Sequence, residues 1–305
     1  MQIIPVDFLL PIFLRSWVRA AASGGMSDGK NYTETRKNCS LRIGNVTPTL
    51  CPGLRENAGE DRLSESCELS VRTDLAAAFR IAARLGFHEA VANHFSAAVS
   101  EDGSRFLINP KWRHFSRIRA SDLVLVDVNE PGDAASRDLD PTAWAIHGQL
   151  HRIVPRARVA MHLHPVYATT IATLQNPEII PIEQNTARYF RRVALDRLYG
   201  GMADSENEGA RLAGLMGDKT RLMMGNHGVM VVAQTVGEAF DDMYTLERAC
   251  QILVNAYSTG QPLSVLPDDV AEKTARDWEG ITDFSIRHFE EMKLILDREE
   301  PDYRD

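Results

Sequence analysis

The chain has 305 residues, of which 44% are hydrophobic and 25% charged, and its formal net charge is -8 at pH 7. This composition is typical of a soluble globular protein with one large domain or two medium ones. The acidic balance, without any block of lysines or arginines, argues against nucleic acid as a partner. Four cysteines without C-x-x-C spacing argue against a cysteine-rich zinc site.

The first 65 residues are predicted to form a disordered or mobile arm, because most of this segment is polar and lacks a sustained apolar period. The apolar stretch Ile3–Leu14 is too short to span a bilayer. Arg15 and Arg19 follow this stretch, whereas a secretory signal carries its positive charge before the apolar run. We therefore predict a cytoplasmic protein without a membrane partner, and Met26 offers an alternative start of the chain.

From residue 66 onward the chain alternates between apolar strands and amphipathic helices, without an internal repeat. This pattern predicts an α/β fold with one domain over residues 66–260 and a helical extension over residues 261–305. Asp140 and Pro141 are placed to begin a helix, and Gly86 is placed to end one. Extended segments are predicted at 90–99, 106–109, 123–128, 157–164, 178–183, 192–195, 221–224 and 229–233, and helices at 75–85, 141–153, 167–174, 205–215 and 236–257.

Two histidines, His162 and His164, lie at the end of one predicted strand. Strand side chains alternate between faces, so both imidazoles project to the same side, about 6–7 Å apart along the strand. They can point at one cation, and neutral imidazole suits Zn, Fe, Ni and Cu. His227 lies in a tight Gly-Asn-His-Gly turn between two apolar strands, which makes it a candidate third ligand. The alternatives are hydrogen-bonded histidines beside a strand end and a turn histidine that faces solvent.

Several short motifs occur in a fixed order along the chain. They are Leu85-Gly86-Phe87, Asn93-His94-Phe95-Ser96, Ile108-Asn109-Pro110, Ile146-His147, His162-Leu163-His164-Pro165, Tyr199-Gly200-Gly201 and Asn226-His227-Gly228-Val229. As a set they resemble the class II aldolase/adducin family. The resemblance implies three α/β/α layers around a mixed, largely antiparallel sheet, and typically a homotetramer with active sites between subunits. It also implies one divalent metal ion per chain (Zn, Mn or Fe), with ligands His162, His164 and His227.

Three departures from the family's pattern affect the predicted function. In the sugar-phosphate aldolases of the family, a Glu that binds the metal and acts as acid and base lies nineteen residues before the first histidine of the pair, and this position is Ala143 here. The family's Thr-Gly phosphate loop is replaced by Lys111 and Trp112, and the Asn of Gly-Asn-(Val/Ile)-Ser by His94. Because alanine neither binds a metal nor carries a proton, we expect a reaction other than sugar-phosphate cleavage or epimerisation.

Basic residues near the first predicted hairpin are candidates for substrate binding. Lys111, Arg113 and Arg117 are predicted to contact a small carboxylate substrate, because arginine pairs well with carboxylates. Trp112 and Phe115 make an aromatic acid a reasonable choice. An ordinary solvated loop is the alternative.

Three further residues are candidate catalytic groups. His94 is assigned to acid–base chemistry or substrate contact, and Tyr189 lies in a segment that in this family often reaches a neighbour's site. Glu183 is the candidate to replace the missing carboxylate, with a structural role as the alternative. His147 and His151 lie four apart on one helix face and offer a competing metal pair. We expect one of them instead to orient a metal ligand from behind.

Together these features favour a metal-dependent carbon–carbon lyase, of the decarboxylase or aldolase type, acting on a small carboxylate. A mononuclear non-haem iron oxygenase acting on an aromatic acid is the alternative, because a three-histidine site serves both chemistries. A non-catalytic, adducin-like interaction module is the third hypothesis. The retention of all three histidines argues against it, since adducin-type members generally lose them.

Overall fold

Seven short strands form one sheet, whose central strands bury nearly all of their residues and whose edge strands are partly exposed. The computed structural model describes residues 60–130, 134 and 138–305, with side chains described from Glu65 onward. The order in the sheet is β3-β2-β1-β4-β7-β6-β5, and all neighbours are antiparallel except the parallel pair β5 and β6. The strands are β1 (His94–Ala98), β2 (Arg105–Ile108), β3 (Val124–Asp127), β4 (Val159–Leu163), β5 (Val193–Asp196), β6 (Arg221–Met224) and β7 (Gly228–Ala233).

The helices begin and end largely where local chemistry predicts. Asp140 accepts hydrogen bonds from the backbone N–H groups of Thr142 and Ala143, which begins the second helix. Gly86 has a φ of 68°, a left-handed conformation suited to the end of the first helix. The helices are α1 (Glu60–Leu85), α2 (Pro141–Ile153), α3 (Val166–Ala172), α4 (Gln184–Arg188), α5 (Glu206–Leu215), α6 (Val236–Ser258), α7 (Asp268–Glu279) and α8 (Phe284–Glu299).

The sheet lies between two helical layers, because alternate residues of each strand face opposite sides. On β4, Met161 packs in the larger apolar cluster with residues of α1, α3, α6 and α8. Ala160 faces the other way, into a cluster with residues of α2 and α5. The predicted three-layer arrangement is confirmed. By the same alternation His162, and also His94 and Ser96 on β1, face the layer formed by α2 and α5.

Some predicted boundaries are wrong. Residues 178–183 do not form a strand; Pro177 and Pro181 lack the N–H groups that a sheet needs, and the Pro181 carbonyl accepts a bond from the Leu266 N–H instead. Helix α1 begins at Glu60, ahead of the predicted domain start, and α4 was not predicted. The rest of the predicted N-terminal arm lies outside the described residues.

The end of the chain is helical, as predicted for residues 261–305. Helix α8 packs against α6 and α1, and α7 packs against α4. Among the described helices, none combines the length and the apolar character needed to cross a membrane.

Candidate metal centre

His162 is the most deeply buried of the three candidate ligands, with 2% of its surface exposed. It pairs with His94 across β1 and β4 and with Met230 across β4 and β7. Its Nδ1 lies 3.0 Å from the Val229 carbonyl oxygen, so Nδ1–H donates to that oxygen. The Nε2 atom therefore carries the lone pair that a metal needs.

The other two candidate ligands converge on the same point. His164 follows the end of β4, and its Nε2 lies 3.1 Å from the Nε2 of His162. The ring centroid of His227 lies 4.8 Å from those of both His162 and His164. One ligand atom from each of the three residues lies within 4.8 Å of the others. The sequence-predicted grouping of His162, His164 and His227 therefore agrees with the geometry.

A tight turn between β6 and β7 positions His227. Its backbone N–H donates to the Met224 carbonyl at 3.0 Å, and Asn226 adopts a left-handed φ of 55°. A Cβ atom at Gly228 would lie only 2.4 Å from Cδ2 of His164. Only glycine fits at that position, because the His164 ring packs directly over the backbone.

Burial keeps these imidazoles in the form that binds metals. Burial lowers the pKa of His162 well below its usual value, and the neighbouring histidines lower it further. Burial also lowers the pKa of His164. For His227, burial and the nearby His164 lower the pKa to about 4, although two carboxylates oppose this shift. Three neutral nitrogen ligands at the end of two strands suit a divalent ion such as zinc or iron, so the residues present fit the implied metal.

His94 joins this group from the neighbouring strand. Its ring centroid lies 4.9 Å from that of His162, and the residue is 4% exposed. Burial lowers the pKa of His94 to about 3, although Asp140 opposes the shift. Of the predicted catalytic residues, His94 is the one that the structure brings beside the three histidines.

A chain of buried polar side chains leads away from His94. Its Nδ1 lies 2.7 Å from Nε2 of His147, and Nδ1 of His147 lies 2.5 Å from Oγ of Ser96. The same Oγ lies 2.8 Å from Nε2 of His151. His147 and His151 thus converge on Ser96 rather than on a common ion. The structure gives them partners on β1, whereas a partner on the strand of His162 was expected.

Position 143 is the first of the predicted departures from the sugar-phosphate aldolases. Ala143 is 2% exposed and packs in an apolar cluster that includes Phe106 and Ile108. The preceding residue faces the histidines instead: Oγ1 of Thr142 lies 3.3 Å from Nε2 of His94. The same hydroxyl donates to the carboxylate of Asp140 at 2.5 Å. The sequence predicts Asp140 only as a helix cap, and its contact with the Thr142 hydroxyl was not expected.

A small pocket borders His227 on the side of β5. Its walls include Tyr199, Glu208 and Asp196. Arg211 binds Asp196 through two nitrogens at 3.0 and 2.6 Å, and its Nε lies 2.8 Å from Glu208. These carboxylates were not predicted from the sequence, because no local motif links them to the histidines.

Two of the three predicted substrate-binding residues, which lie in the segment after β2, have local partners. Arg113 pairs with Asp122 at 2.8 Å, and Lys111 lies 3.5 Å from Asp138. Arg117 is exposed. Their role in binding a substrate stays a prediction.

Glu183 and Tyr189 have contacts of a structural kind. The carboxylate of Glu183 accepts bonds from the backbone N–H groups of Asn185 and Thr186 and so caps α4. Tyr189 is 2% exposed, and its hydroxyl donates to Asp242 at 3.1 Å. Their predicted catalytic roles stay predictions.

Comparisons with known proteins agree with this fold. Residues 73–254 match the family model described as Class II Aldolase and Adducin N-terminal domain. A Caulobacter vibrioides protein described as an aldolase class 2 protein is 31% identical over 247 residues, which cover 80% of this chain and 95% of that protein. The crystal structure of an aldolase II superfamily protein from Pseudomonas syringae shares 30% identity at a TM-score of 0.72, covering 78% of this chain and 96% of that one.

Two relatives from Streptomyces carry more specific names. Decarboxylase NovR of Streptomyces niveus is 28% identical over 207 residues, covering 66% of this chain and 74% of the relative. The 4-hydroxy-3-prenylphenylpyruvate oxygenase/4-hydroxy-3-prenylbenzoate synthase of Streptomyces roseochromogenus subsp. oscitans is 28% identical over 209 residues, covering 66% and 73%. Because the family model spans more than half of the sequence and the fold is shared, the chain belongs to the class II aldolase and adducin family.

Proposed function

We propose that this chain is a metal-dependent carbon–carbon lyase, of the decarboxylase or aldolase type, that acts on a small carboxylate substrate such as an aromatic acid. The observation that supports this most is the convergence of three neutral imidazoles, whose ligand atoms lie within 4.8 Å of one another. Family membership supports lyase chemistry in general. The names of the two Streptomyces relatives favour an acid as the substrate class.

Each residue of the site has a separate task in this proposal. His162, His164 and His227 would hold one divalent ion per chain, with Zn, Mn and Fe as the candidates. When bound, such an ion supplies a Lewis acid that stabilises the negative charge left on the substrate as a carbon–carbon bond breaks. His94 lies beside His162 and contacts the substrate.

The alternative is a mononuclear non-haem iron oxygenase that acts on an aromatic acid. The printed name of one Streptomyces relative, which contains the word oxygenase, favours it. A three-histidine site suits iron as well as zinc, so the ligand set does not separate the two reactions. Dependence on dioxygen separates them.

The oligomeric state of the protein and its location in the cell are part of the same proposal. We propose a cytoplasmic homotetramer with active sites between subunits and without nucleic acid or membrane partners. Multi-angle light scattering of the purified protein measures the assembly directly. A monomer at micromolar concentration would contradict it.

The first test measures the metal. We expect elemental analysis of the purified chain to find about one divalent ion per chain, and a His162→Ala/His164→Ala variant to have lost it. The matched control is His88→Ala/His114→Ala, which removes another pair of contacting histidines, with Nε2 atoms 2.8 Å apart, and should keep the metal. An unaltered chain without metal would contradict the proposed centre.

The second test identifies the reaction. The protein, loaded with the metal found, is screened against hydroxy acids and aromatic acids with and without dioxygen. We expect release of carbon dioxide or of an aldehyde fragment under both conditions. Product formation that stops when dioxygen is removed would favour the oxygenase instead.

A further inference from the structure

The polar chain around His94 goes beyond what a metal centre needs. It runs from Asp140 through Thr142, His94 and His147 to Ser96, with each contact at 2.5 to 3.3 Å. Both His94 and His147 are buried, and a neutral imidazole has one N–H donor and one bare nitrogen. The hydrogens along the chain can therefore be arranged in only two orders, and each order fixes which nitrogen of His94 carries the hydrogen.

The Asp140 end selects between these two orders. An ionised carboxylate only accepts hydrogen bonds, so the single hydroxyl hydrogen of Thr142 goes to Oδ1 of Asp140 at 2.5 Å. The same Oδ1 also accepts the backbone N–H of Thr142 at 2.8 Å, which holds the two residues in place. The Thr142 hydroxyl can then only accept from His94. The hydrogen of His94 must accordingly lie on Nε2, the atom 3.3 Å from that hydroxyl.

The contacts on the Nδ1 side of His94 are consistent with a hydrogen on Nε2. With its hydrogen on Nε2, His94 has a bare Nδ1, which accepts from Nε2–H of His147 at 2.7 Å. Nδ1 of His147 then accepts the hydroxyl hydrogen of Ser96, and Ser96 accepts from Nε2–H of His151 at 2.8 Å. Every one of these contacts is satisfied without placing a charge on a histidine.

We propose that this network holds His94 as the Nε2–H tautomer, so that a neutral imidazole donates a hydrogen bond to an oxygen of a substrate bound beside His162. Asp140, Thr142 and His147 are its positioning residues. A neutral imidazole N–H can polarise a carbonyl without giving up its proton. The 3.3 Å bond to Thr142 is long for a hydrogen bond, so a substrate oxygen can replace that hydroxyl. This donor role rests on the proposed lyase function, whereas the tautomer does not.

The network also contains a carboxylate, that of Asp140, close to position 143, where the Glu of the sugar-phosphate aldolases is absent. Asp140 lies three residues earlier on the same helix end and acts through Thr142 and His94 rather than as a metal ligand.

The test measures the tautomer first. Protein with 15N-labelled histidine rings is loaded with zinc, and long-range 1H–15N correlation spectra report which nitrogen of each ring carries hydrogen. A His94→Asn variant identifies the His94 signals among those of the nine histidines. We expect a protonated Nε2 and a bare Nδ1 in the unaltered protein. The opposite tautomer, or an equal mixture, would overturn the proposal before any variant is compared.

Variants of Thr142 then test the positioning role. Thr142→Val removes the acceptor and should shift His94 toward the Nδ1–H tautomer, whereas Thr142→Ser should restore Nε2–H. The matched control is Thr169→Val, because the Thr169 hydroxyl is buried without a hydrogen-bond partner in the described structure. An unchanged tautomer in Thr142→Val would contradict the role of Thr142.

Kinetics separate the donor role from the reaction itself. With an acid that the screen identifies, Thr142→Val should lower kcat about 10- to 100-fold with little change in KM, and Thr142→Ser should recover most of it. Equal kcat in Thr142→Val and the unaltered protein would overturn the donor role. If the tautomer is as expected but no acid is cleaved, the tautomer is supported and the proposed lyase function fails.

Discussion

At the scale of single residues, Ala143 carries the strongest argument against sugar-phosphate chemistry. Its side chain packs among apolar residues rather than facing the histidines. We expect Ala143→Glu to lower the free energy of unfolding by about 2 kcal/mol or more, because a carboxylate would be buried without a partner. Chemical denaturation measures this, with Ala143→Met as the control for added volume.

The same variant bears on activity. We expect Ala143→Glu to gain no cleavage of fuculose phosphate, since the other departures remain. Efficient cleavage by the unaltered protein would show that our interpretation of this position is wrong.

The protonation of His151 gives a prediction of pH dependence. Burial, and then the nearby Arg158, lower the pKa of His151 to about 3, whereas an unfolded chain has an ordinary value near 6.5. Between these values the unfolded state binds one more proton, so the free energy of unfolding falls as pH falls, by up to about 1.4 kcal/mol per pH unit. We expect His151→Gln to make this slope shallower in urea titrations below about pH 6.5. Identical slopes would contradict the shift.

Residue patterns predicted the three candidate metal ligands but not the network behind His94. The H-x-H spacing on one strand and the glycine-flanked turn identify His162, His164 and His227 locally. The contacts between His94 and His147 join β1 to α2, and sequence spacing alone does not say which helix packs on which strand. The alternation of β1 does place His94 and Ser96 on one face, a signal that could have linked them.

At the scale of elements, the close packing of α5 on α2 holds the helix that carries His147. A Cβ atom at Gly209 would lie 2.0 Å from the carbonyl oxygen of Ala145, a distance that requires the helices to separate. We expect Gly209→Ala to lower the free energy of unfolding by about 2 kcal/mol or more. Gly214→Ala on the same helix is the matched control, because nothing lies within 4 Å of its added Cβ.

The Gly214→Ala control is itself expected to change the free energy of unfolding, in the opposite direction. Alanine is a better helix former than glycine, so Gly214→Ala should leave stability unchanged or raise it by up to about 1 kcal/mol. Denaturation curves of the two variants measure this difference in the free energy of unfolding. Similar destabilisation in both would show that helix propensity, rather than the contact with α2, controls this position.

Helices were predicted correctly where a capping residue precedes a helical hydrophobic period. Prediction failed where the segment is short. Asp140 with Pro141 begins α2 as predicted. Helix α6 begins at the predicted residue 236, where Thr235 and Glu238 form a reciprocal cap. Helix α4 has five residues, too few to show a helical period, and was missed. The apolar run at 178–183 resembles a strand but pairs with no strand of the described sheet.

At the scale of the whole molecule, the order of the strands in the sheet could not be predicted from the sequence. After β4 the chain runs to β5 at the edge of the sheet and returns through β6 to β7. The pairing of β7 with β4 brings His227 to His162 and His164. Hydrophobic patterns identify strands but not their neighbours, so the layer arrangement came from the family resemblance. The metal grouping depends on that long-range pairing as much as on the histidines themselves.

Residues near the C-terminus contact helix α1 through Arg80. This side chain is buried, and it donates to the Ile118 carbonyl at 2.8 Å and binds Glu300 at 3.2 Å and Asp302 at 2.9 Å. A Glu300→Gln/Asp302→Asn variant leaves the buried guanidinium without a counter-charge. Because both acids are partly exposed, we expect a loss of about 2 kcal/mol in the free energy of unfolding rather than the larger cost of a fully buried pair.

A second background shows whether the loss comes from the charge pair. In Arg80→Met the guanidinium is absent, so the same Glu300→Gln/Asp302→Asn change should cost much less. Urea denaturation of the four proteins gives the coupling energy directly. Equal costs in both backgrounds would mean that the acids stabilise the chain end without Arg80. A clear coupling would mean that the first described helix and the last residues of the chain stabilise each other, although more than 200 residues separate them in the sequence.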